Sequence, residues 1–171
     1  MSAGGVVVRR ARAADDRPLA ALHLRSALTA YAEIFPPDAP KPTAASLARH
    51  WAEAIADPTS AVFVAELDDS SAIGGVIATT VTPPGVGNVR HLYVDPLHWG
   101  RGAGRMLHDA AVSWCVERGV GSPSLWVLEA NDRARQMYER WGWAVLGGEL
   151  FVNAGSGVRE VCYRLDRVTG P

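Results

Sequence analysis

The chain of 171 residues carries 17 Lys and Arg against 18 Asp and Glu, a formal net charge of −1 that offers no basic field to nucleic acid. Hydrophobic content of 48% with 20% charged residues suits one globular domain with a real core, and no apolar run approaches the ~18 residues of a membrane span. Cys115 and Cys162 make no disulfide framework, the five histidines show neither H-E-x-x-H nor C-x-x-C spacing, and the charges of the N-terminus follow its short apolar run, so no metal, no secretory signal and a cytoplasmic location are expected.

Val6 to Arg10 reads as a first strand. Asp15 or Asp16 can cap a helix with Pro18 in its first turn, carrying Leu24, Leu28 and Tyr31 at i, i+4, i+7. The proline-rich break from Phe35 to Pro40 stops it. Thr43 then caps a second helix bearing Leu47, Trp51 and Ile55, closed by Asp57-Pro58. Ser60 to Leu67 and Ala72 to Thr82 are β-branched runs around Asp68-Asp69-Ser70-Ser71, a hairpin, and a further strand is expected from Val89 to Val94.

The stretch from His91 to Arg105, HLYVDPLHWGRGAGR, is the most informative in the chain. The apolar run Leu92, Tyr93, Val94 ends at Asp95-Pro96, and a glycine-dense turn, Gly100-Arg101-Gly102-Ala103-Gly104, leads into a helix from Arg105. Glycines let successive backbone N–H groups converge on one anion, and the start of a helix adds partial positive charge and unpaired donors. Arg101 and Arg105 place cations beside the same spot, and a β-branched side chain at Gly104 would intrude on the anion's space. The spacing excludes the G-x-G-x-x-G dinucleotide fingerprint and the G-K-[ST] ending of a Walker loop. The pattern is an anion cradle.

Met106, Leu107, Ala110, Ala111, Trp114 and Cys115 continue the helix on one face, and Gly119 ends it. Ser124 to Leu128 is a short strand, Asn131 or Asp132 caps a helix through Arg140, and Gly142 stops it. Two last strands, Ala144 to Asn153 and Val158 to Asp166, flank the turn Ala154-Gly155-Ser156-Gly157.

The segment around the cradle resembles the acetyl-CoA signature of the GCN5-related N-acetyltransferase (GNAT) superfamily: a strand ending in Val-x-Pro, a spacer, then [QR]-x-x-G-x-[GA] opening a helix. Gly102 and Gly104 fill the two glycine positions, while Trp99 stands where the family has Gln or Arg. Downstream, Leu125 to Asn131 followed by Ala134, Tyr138, Gly142 and Trp143 is similar to the family's later motif, a strand, an Asn, then A-x-x-x-Y-x-x-x-G-[FW]. Asn131 and Tyr138 are seven positions apart, about two helical turns, so they share a face. Ala134, Met137 and Trp141 form the neighbouring, core-facing stripe.

The resemblance implies an α/β (α+β) fold over residues 6–166: a mixed, mostly antiparallel sheet of about six to seven strands flanked by about four helices. Residues 1–5 and 167–171 are expected to be flexible termini. It implies acetyl-CoA as co-substrate and transfer of its acetyl group to a primary amine, on a small molecule or a peptide N-terminus, by direct attack in a ternary complex. In that reading Gly100, Arg101, Gly102, Ala103, Gly104 and Arg105 hold the pyrophosphate, Leu92, Tyr93 and Val94 run along the pantetheine arm, and Asn131 touches the arm. Tyr138 is the acid: a phenol, pKa near 10, can protonate a departing thiolate whose own pKa is near 8.5.

The carboxylate that some relatives use as general base falls here on Trp126. His91, Glu129 and Glu33 are the remaining candidates for a base or for the acceptor site, with water as a relay. Glu33 lies with Tyr31, Ile34 and Phe35 on the expected acceptor wall, where one carboxylate among aromatics suits a single ammonium better than a polyamine. Cys115, on an apolar stripe, is expected in the core. The rival reading is a non-catalytic acyl-CoA-binding or sensing domain, for which Tyr138 would have no use. No membrane or nucleic-acid partner is expected; a monomer and a homodimer both remain open.

Overall fold

The computed structural model describes residues 5–67, 72–152 and 157–166. The residues expected to form turns at Asp68 to Ser71 and Ala154 to Ser156, together with Asn153 and the terminal segments 1–4 and 167–171, lie outside the described residues. The elements follow the expected order: β1 (Val6–Arg10), α1 (Asp16–Ala30), α2 (Ala44–Ala56), β2 (Ser60–Leu67), β3 (Ala72–Thr82), β4 (Val86–Val94), α3 (Ala103–Val116), β5 (Ser124–Leu128), α4 (Asp132–Arg140), β6 (Trp143–Val152) and β7 (Arg159–Leu165). One-turn 3₁₀ segments, Ala13–Asp15 and Pro96–His98, precede α1 and follow β4.

The seven strands form one sheet in the order β1-β2-β3-β4-β5-β7-β6. Every neighbouring pair is antiparallel except β4 and β5. α1 and α2 cover one face, where Leu19, Leu22 and Trp51 pack on Val62, Val64 and Val76. α3 and α4 cover the other, where Leu107, Ala111 and Tyr138 meet Ile77, Leu125, Trp143 and Tyr163. β2 is buried on both faces, which is why it reads as a continuous apolar run rather than an alternation.

Local chemistry sets the helix starts. Thr43 Oγ1 accepts from the Ser46 amide at 3.1 Å while Ser46 Oγ accepts from the Thr43 amide at 3.0 Å, a reciprocal cap that offsets two orphan donors of α2. At α4 the Asn131 side chain accepts from the Ala134 amide at 3.1 Å. α1 differs from the expected stripe. Its buried residues are Leu19, Ala20, Leu22, His23 and Ser26, whereas Leu28 is 51% exposed. The helix has leucines on two sides, and packing against both α2 and the sheet selects the Leu19–Leu22 side. β4 begins at Val86, three residues early, because the turn before it is only Pro83 to Gly85.

The sheet is interrupted where it matters. Val76 pairs with Tyr93 and Ala78 with Arg90, so Ile77 alone stands opposite both His91 and Leu92. This is a β-bulge, and His91 adopts φ +55° to form it. On its other edge β4 pairs with β5 only at Asn88–Ser124 and Val89–Leu125. Past that point Arg90 to Val94 and Trp126 to Leu128 have no ladder between them, and a cleft opens between two adjacent strands.

Candidate active site

Two cavities meet in that cleft. The first, of about 610 Å³, runs from the α3 N-terminus along β4 between α1 and α4. Gly100, Gly102, Ala103, Gly104 and Arg105 line its turn end, and Leu92, Tyr93 and Val94 line its strand side. Asn131 enters from the α4 cap, with its amide carbonyl already accepting from the Ala134 amide. The second cavity, of about 560 Å³, lies past the bulge between β4, β5 and β7. Tyr31, Leu92, Tyr93, Asn131, Ala134 and Met137 line both.

The glycine turn has the geometry of an anion cradle, and its glycines play unequal parts. Gly100 and Gly102 are left-handed, at φ +81° and +85°, while Gly104 is ordinary helix in the first turn of α3. Gly102 is itself the residue at the helix start, so the backbone reverses hand there, and Gly102, Ala103 and Gly104 at the start of α3 line the cavity. A Cβ on Gly104 would meet Val94 Cγ2 at 3.7 Å and Trp141 at 3.8 Å, plain van der Waals contact.

The cations around the cradle are partly others than expected. Arg105 lines the cavity, steered by paired hydrogen bonds to Asp109 at 2.9 Å. Arg101 is outside the lining; Arg133 and Arg140 of α4 occupy it instead. The Arg133 guanidinium stacks on the Trp99 ring, 3.4 Å from its centroid, and the Trp99 indole N–H donates to the Val94 carbonyl at 2.8 Å. Trp99 therefore ties the turn to the end of β4 and holds a cation from α4 over the same space. Sequence reading missed both arginines because their position depends on α4 packing beside the turn.

Asp95 does more than end β4. It caps the 3₁₀ turn through the Leu97 amide at 3.1 Å and pairs with Arg25 of α1 at 3.0 Å, fixing α1 to the cleft wall.

Tyr138 lies on the buried side of α4, 8% exposed, with its ring edge-on to Trp141 and Trp143 at 5.9 and 6.1 Å. It lines the second cavity beside the residues shared with the first. Burial raises its pKa, with the Tyr31 phenol adding to the effect, so the hydroxyl stays protonated through neutral pH. Tyr93 is likewise raised by burial, and beyond that by Tyr31, Tyr138 and Glu160. Three phenols thus converge where the cavities join.

The structure separates the other candidates. Glu129 pairs with Arg159 at 3.0 Å and lines neither cavity. Glu33 is exposed and lines neither. His91 lines the second cavity, but its ring sits in an aromatic cluster, 4.9 Å from His50 and 5.7 Å from Trp51 by centroid. Burial and the neighbouring His50, Arg90 and His23 push its pKa down to about 3. A base that weak holds an ammonium proton poorly. Trp126 lines the second cavity.

The carboxylate that does face the cavity is Glu160 of β7, half-buried and opposite Leu128 in the ladder. Burial raises its pKa, with Arg90 opposing. No local signal marks Glu160; only the β5-β7-β6 strand order carries the last strand to the cleft. Cys115 is buried against Thr79 Oγ1 at 3.1 Å and burial raises its thiol pKa, in keeping with a core role.

Comparison with known proteins gives the class. The sequence model described as the acetyltransferase (GNAT) family matches residues 24–143, more than half of the chain, and the chain belongs to that family. Among curated relatives, a mycothiol acetyltransferase of Rhodococcus opacus is 30% identical over 143 residues, 81% of this chain and 45% of that protein. Another, of Propionibacterium freudenreichii, is 42% identical over 64 residues, 37% of this chain and 20% of that protein. The chain spans less than half the length of these mycothiol acetyltransferases. The crystal structure of the PaiA N-acetyltransferase from Thermoplasma acidophilum in complex with coenzyme A superimposes with a TM-score of 0.74 at 16% identity, over 95% of this chain and 99% of that one. That likeness carries the fold.

Proposed function

We propose that residues 6–166 form an N-acetyltransferase domain that moves an acetyl group from acetyl-CoA to a primary amine by direct attack in a ternary complex. The observation that carries this is the shared wall of the two cavities: six residues face both, so a donor in one and an acceptor in the other would be in contact without an intermediate carrier. A domain that only sensed acyl-CoA would have no use for the second cavity.

In this reading the α3 N-terminus, Arg105, Arg133 and Arg140 hold the phosphates, and the unpaired edge of β4 from Arg90 to Val94 offers backbone groups to the pantetheine amides. Holding both substrates side by side supplies the largest part of the rate through proximity. Tyr138, protonated at neutral pH and close to the junction, gives its proton to the departing thiolate as the C–S bond breaks. Its protonated state needs no partner beyond its burial. The buried, reduced thiols suit a cytoplasmic setting, which we adopt with the activity. No helix among the described residues is long and apolar enough to cross a membrane.

The test is thiol release from acetyl-CoA on addition of amines: amino acids, aminoglycosides, peptides with free N-termini and polyamines. Release that depends on an added amine supports transfer. Tight acetyl-CoA binding with no release for any amine class would favour the binding-domain reading.

A further inference from the structure

The second cavity has a charge pattern that narrows the acceptor, given the acetyl-transfer reading above. Among its described lining residues the ionised side chains are Arg90 and Glu160, one of each sign. Neither forms a side-chain ion pair or hydrogen bond among the described residues, although Arg90 is close enough to act on the Glu160 carboxyl. A cation and an anion that face the same space without closing on each other leave both available to a ligand carrying the complementary pair.

Their depths differ in the sense that matters. Glu160 is half-buried and its charge reaches the phenols of Tyr31 and Tyr93, which line the junction with the first cavity. Arg90 is exposed, precedes the bulge and acts on His50 and His91, so it stands toward α2 and solvent. The remaining lining includes Phe35, Trp126, Leu128 and Met137, an apolar and aromatic surface.

We propose that this cavity takes a free α-amino acid with an apolar or aromatic side chain, Glu160 beside its ammonium and Arg90 beside its carboxylate. The ammonium then points toward the acetyl donor and the carboxylate toward solvent. A polyamine would bring a second cation against Arg90. A peptide N-terminus would leave Arg90 without its anion. The proton balance closes: the ammonium gives one proton to Glu160, whose burial-raised carboxyl is suited to receive it. The N–C bond forms as the C–S bond breaks, Tyr138 protonates the sulfur, and the second amine proton restores Tyr138. One proton leaves from Glu160 to solvent per turnover.

The experiment compares L-phenylalanine, phenethylamine, L-phenylalanine amide and spermidine as acceptors, by thiol release, in the native protein and in Arg90→Gln and Glu160→Gln. L-phenylalanine should exceed phenethylamine and the amide at least tenfold in kcat/KM, and that ratio should fall toward one in Arg90→Gln. Glu160→Gln should lower kcat/KM for L-phenylalanine and phenethylamine alike, by a hundredfold or more. Coenzyme A affinity, measured by calorimetry, reports that each variant is folded. Phenethylamine or spermidine matching L-phenylalanine, or a ratio that survives Arg90→Gln, would overturn the inference while leaving acetyl transfer standing. Calorimetric titration of L-phenylalanine into protein saturated with coenzyme A reads the site without chemistry. Binding there with no thiol release would defeat the transfer reading and support the site; no binding would defeat the site.

Discussion

The indole N–H of Trp99 donates to the carbonyl of Val94 at 2.8 Å, so the residue that departs from the family's usual Gln or Arg joins the glycine turn to β4, the strand that would carry the pantetheine arm. The same ring carries the Arg133 guanidinium on its face. In the proposed phosphate site, a cation from α4 would thus stand beside the position where the motif lacks its Gln or Arg.

Trp99→Leu removes a hydrogen bond of about 1 kcal/mol and a cation–π contact of about 0.5–1 kcal/mol. Acetyl-CoA affinity should fall roughly tenfold, with Trp99→Phe intermediate because the stacking survives. Isothermal titration of acetyl-CoA into each variant checks the order.

The turn itself makes unequal demands on its glycines. Gly102 sits at φ +85°, where an L side chain costs about 1–2 kcal/mol and a β-branched one more. Gly102→Val should lower thermal stability and weaken acetyl-CoA binding by well over tenfold. Gly104→Ala should be nearly silent, since its Cβ would meet only ordinary contacts, whereas Gly104→Val extends into the cavity and should lose affinity without the stability penalty. Paired melting curves and titrations separate the two effects.

The element order, the caps at Thr43 and Asn131 and the glycine turn were legible because each is written locally: a hydroxyl or amide before an apolar run, glycines between a strand and a helix. The buried side of α1 was not, because Leu19 and Leu22 compete with Leu24 and Leu28 and only α2 and the sheet decide between them. The bulge at His91 depends on a strand partner that β4 alone does not encode. Glu160 and Arg133 are likewise tertiary facts. Of the candidate bases read from the sequence, Glu129 is held by Arg159, Glu33 is exposed and His91 lines the second cavity, three placements that only the tertiary packing decides.

Burial of the histidines should make the fold acid-sensitive. Burial pushes His23 down to about 4 and His91 to about 3, and lowers His50 and His108 in the same sense. In the unfolded chain each returns to about 6.5. Above that pH both states are neutral; below it the unfolded chain takes up protons that the native state refuses, so stability falls as pH drops from about 6.5 toward 3. Asp15, held low by its hydrogen bond from Arg9, adds its own loss only below about 4. The melting temperature should therefore decline already between about pH 6.5 and 4.5, where the four histidines outweigh the opposing proton uptake of Glu160. His91→Asn tolerates the left-handed backbone and should flatten that decline; an unchanged slope would remove His91 from the explanation.

Tyr138→Phe isolates the acid. The variant should keep acetyl-CoA affinity nearly unchanged and lose about 10²–10⁴ in kcat, the range for a positioned proton donor. The loss should shrink when the acyl donor has a less basic leaving thiol. Full turnover would return Tyr138 to a packing role between Trp141 and Trp143.

The adjoining cavities make direct attack the central claim, and an initial-rate matrix tests it most directly. Thiol release is measured across a grid of acetyl-CoA and acceptor concentrations, using the best amine from the screen, and plotted in double-reciprocal form. The lines should intersect, because both substrates must occupy the cleft before the first product leaves. Parallel lines, with a stoichiometric burst of thiol from acetyl-CoA alone, would mean an acetylated enzyme and would contradict the account.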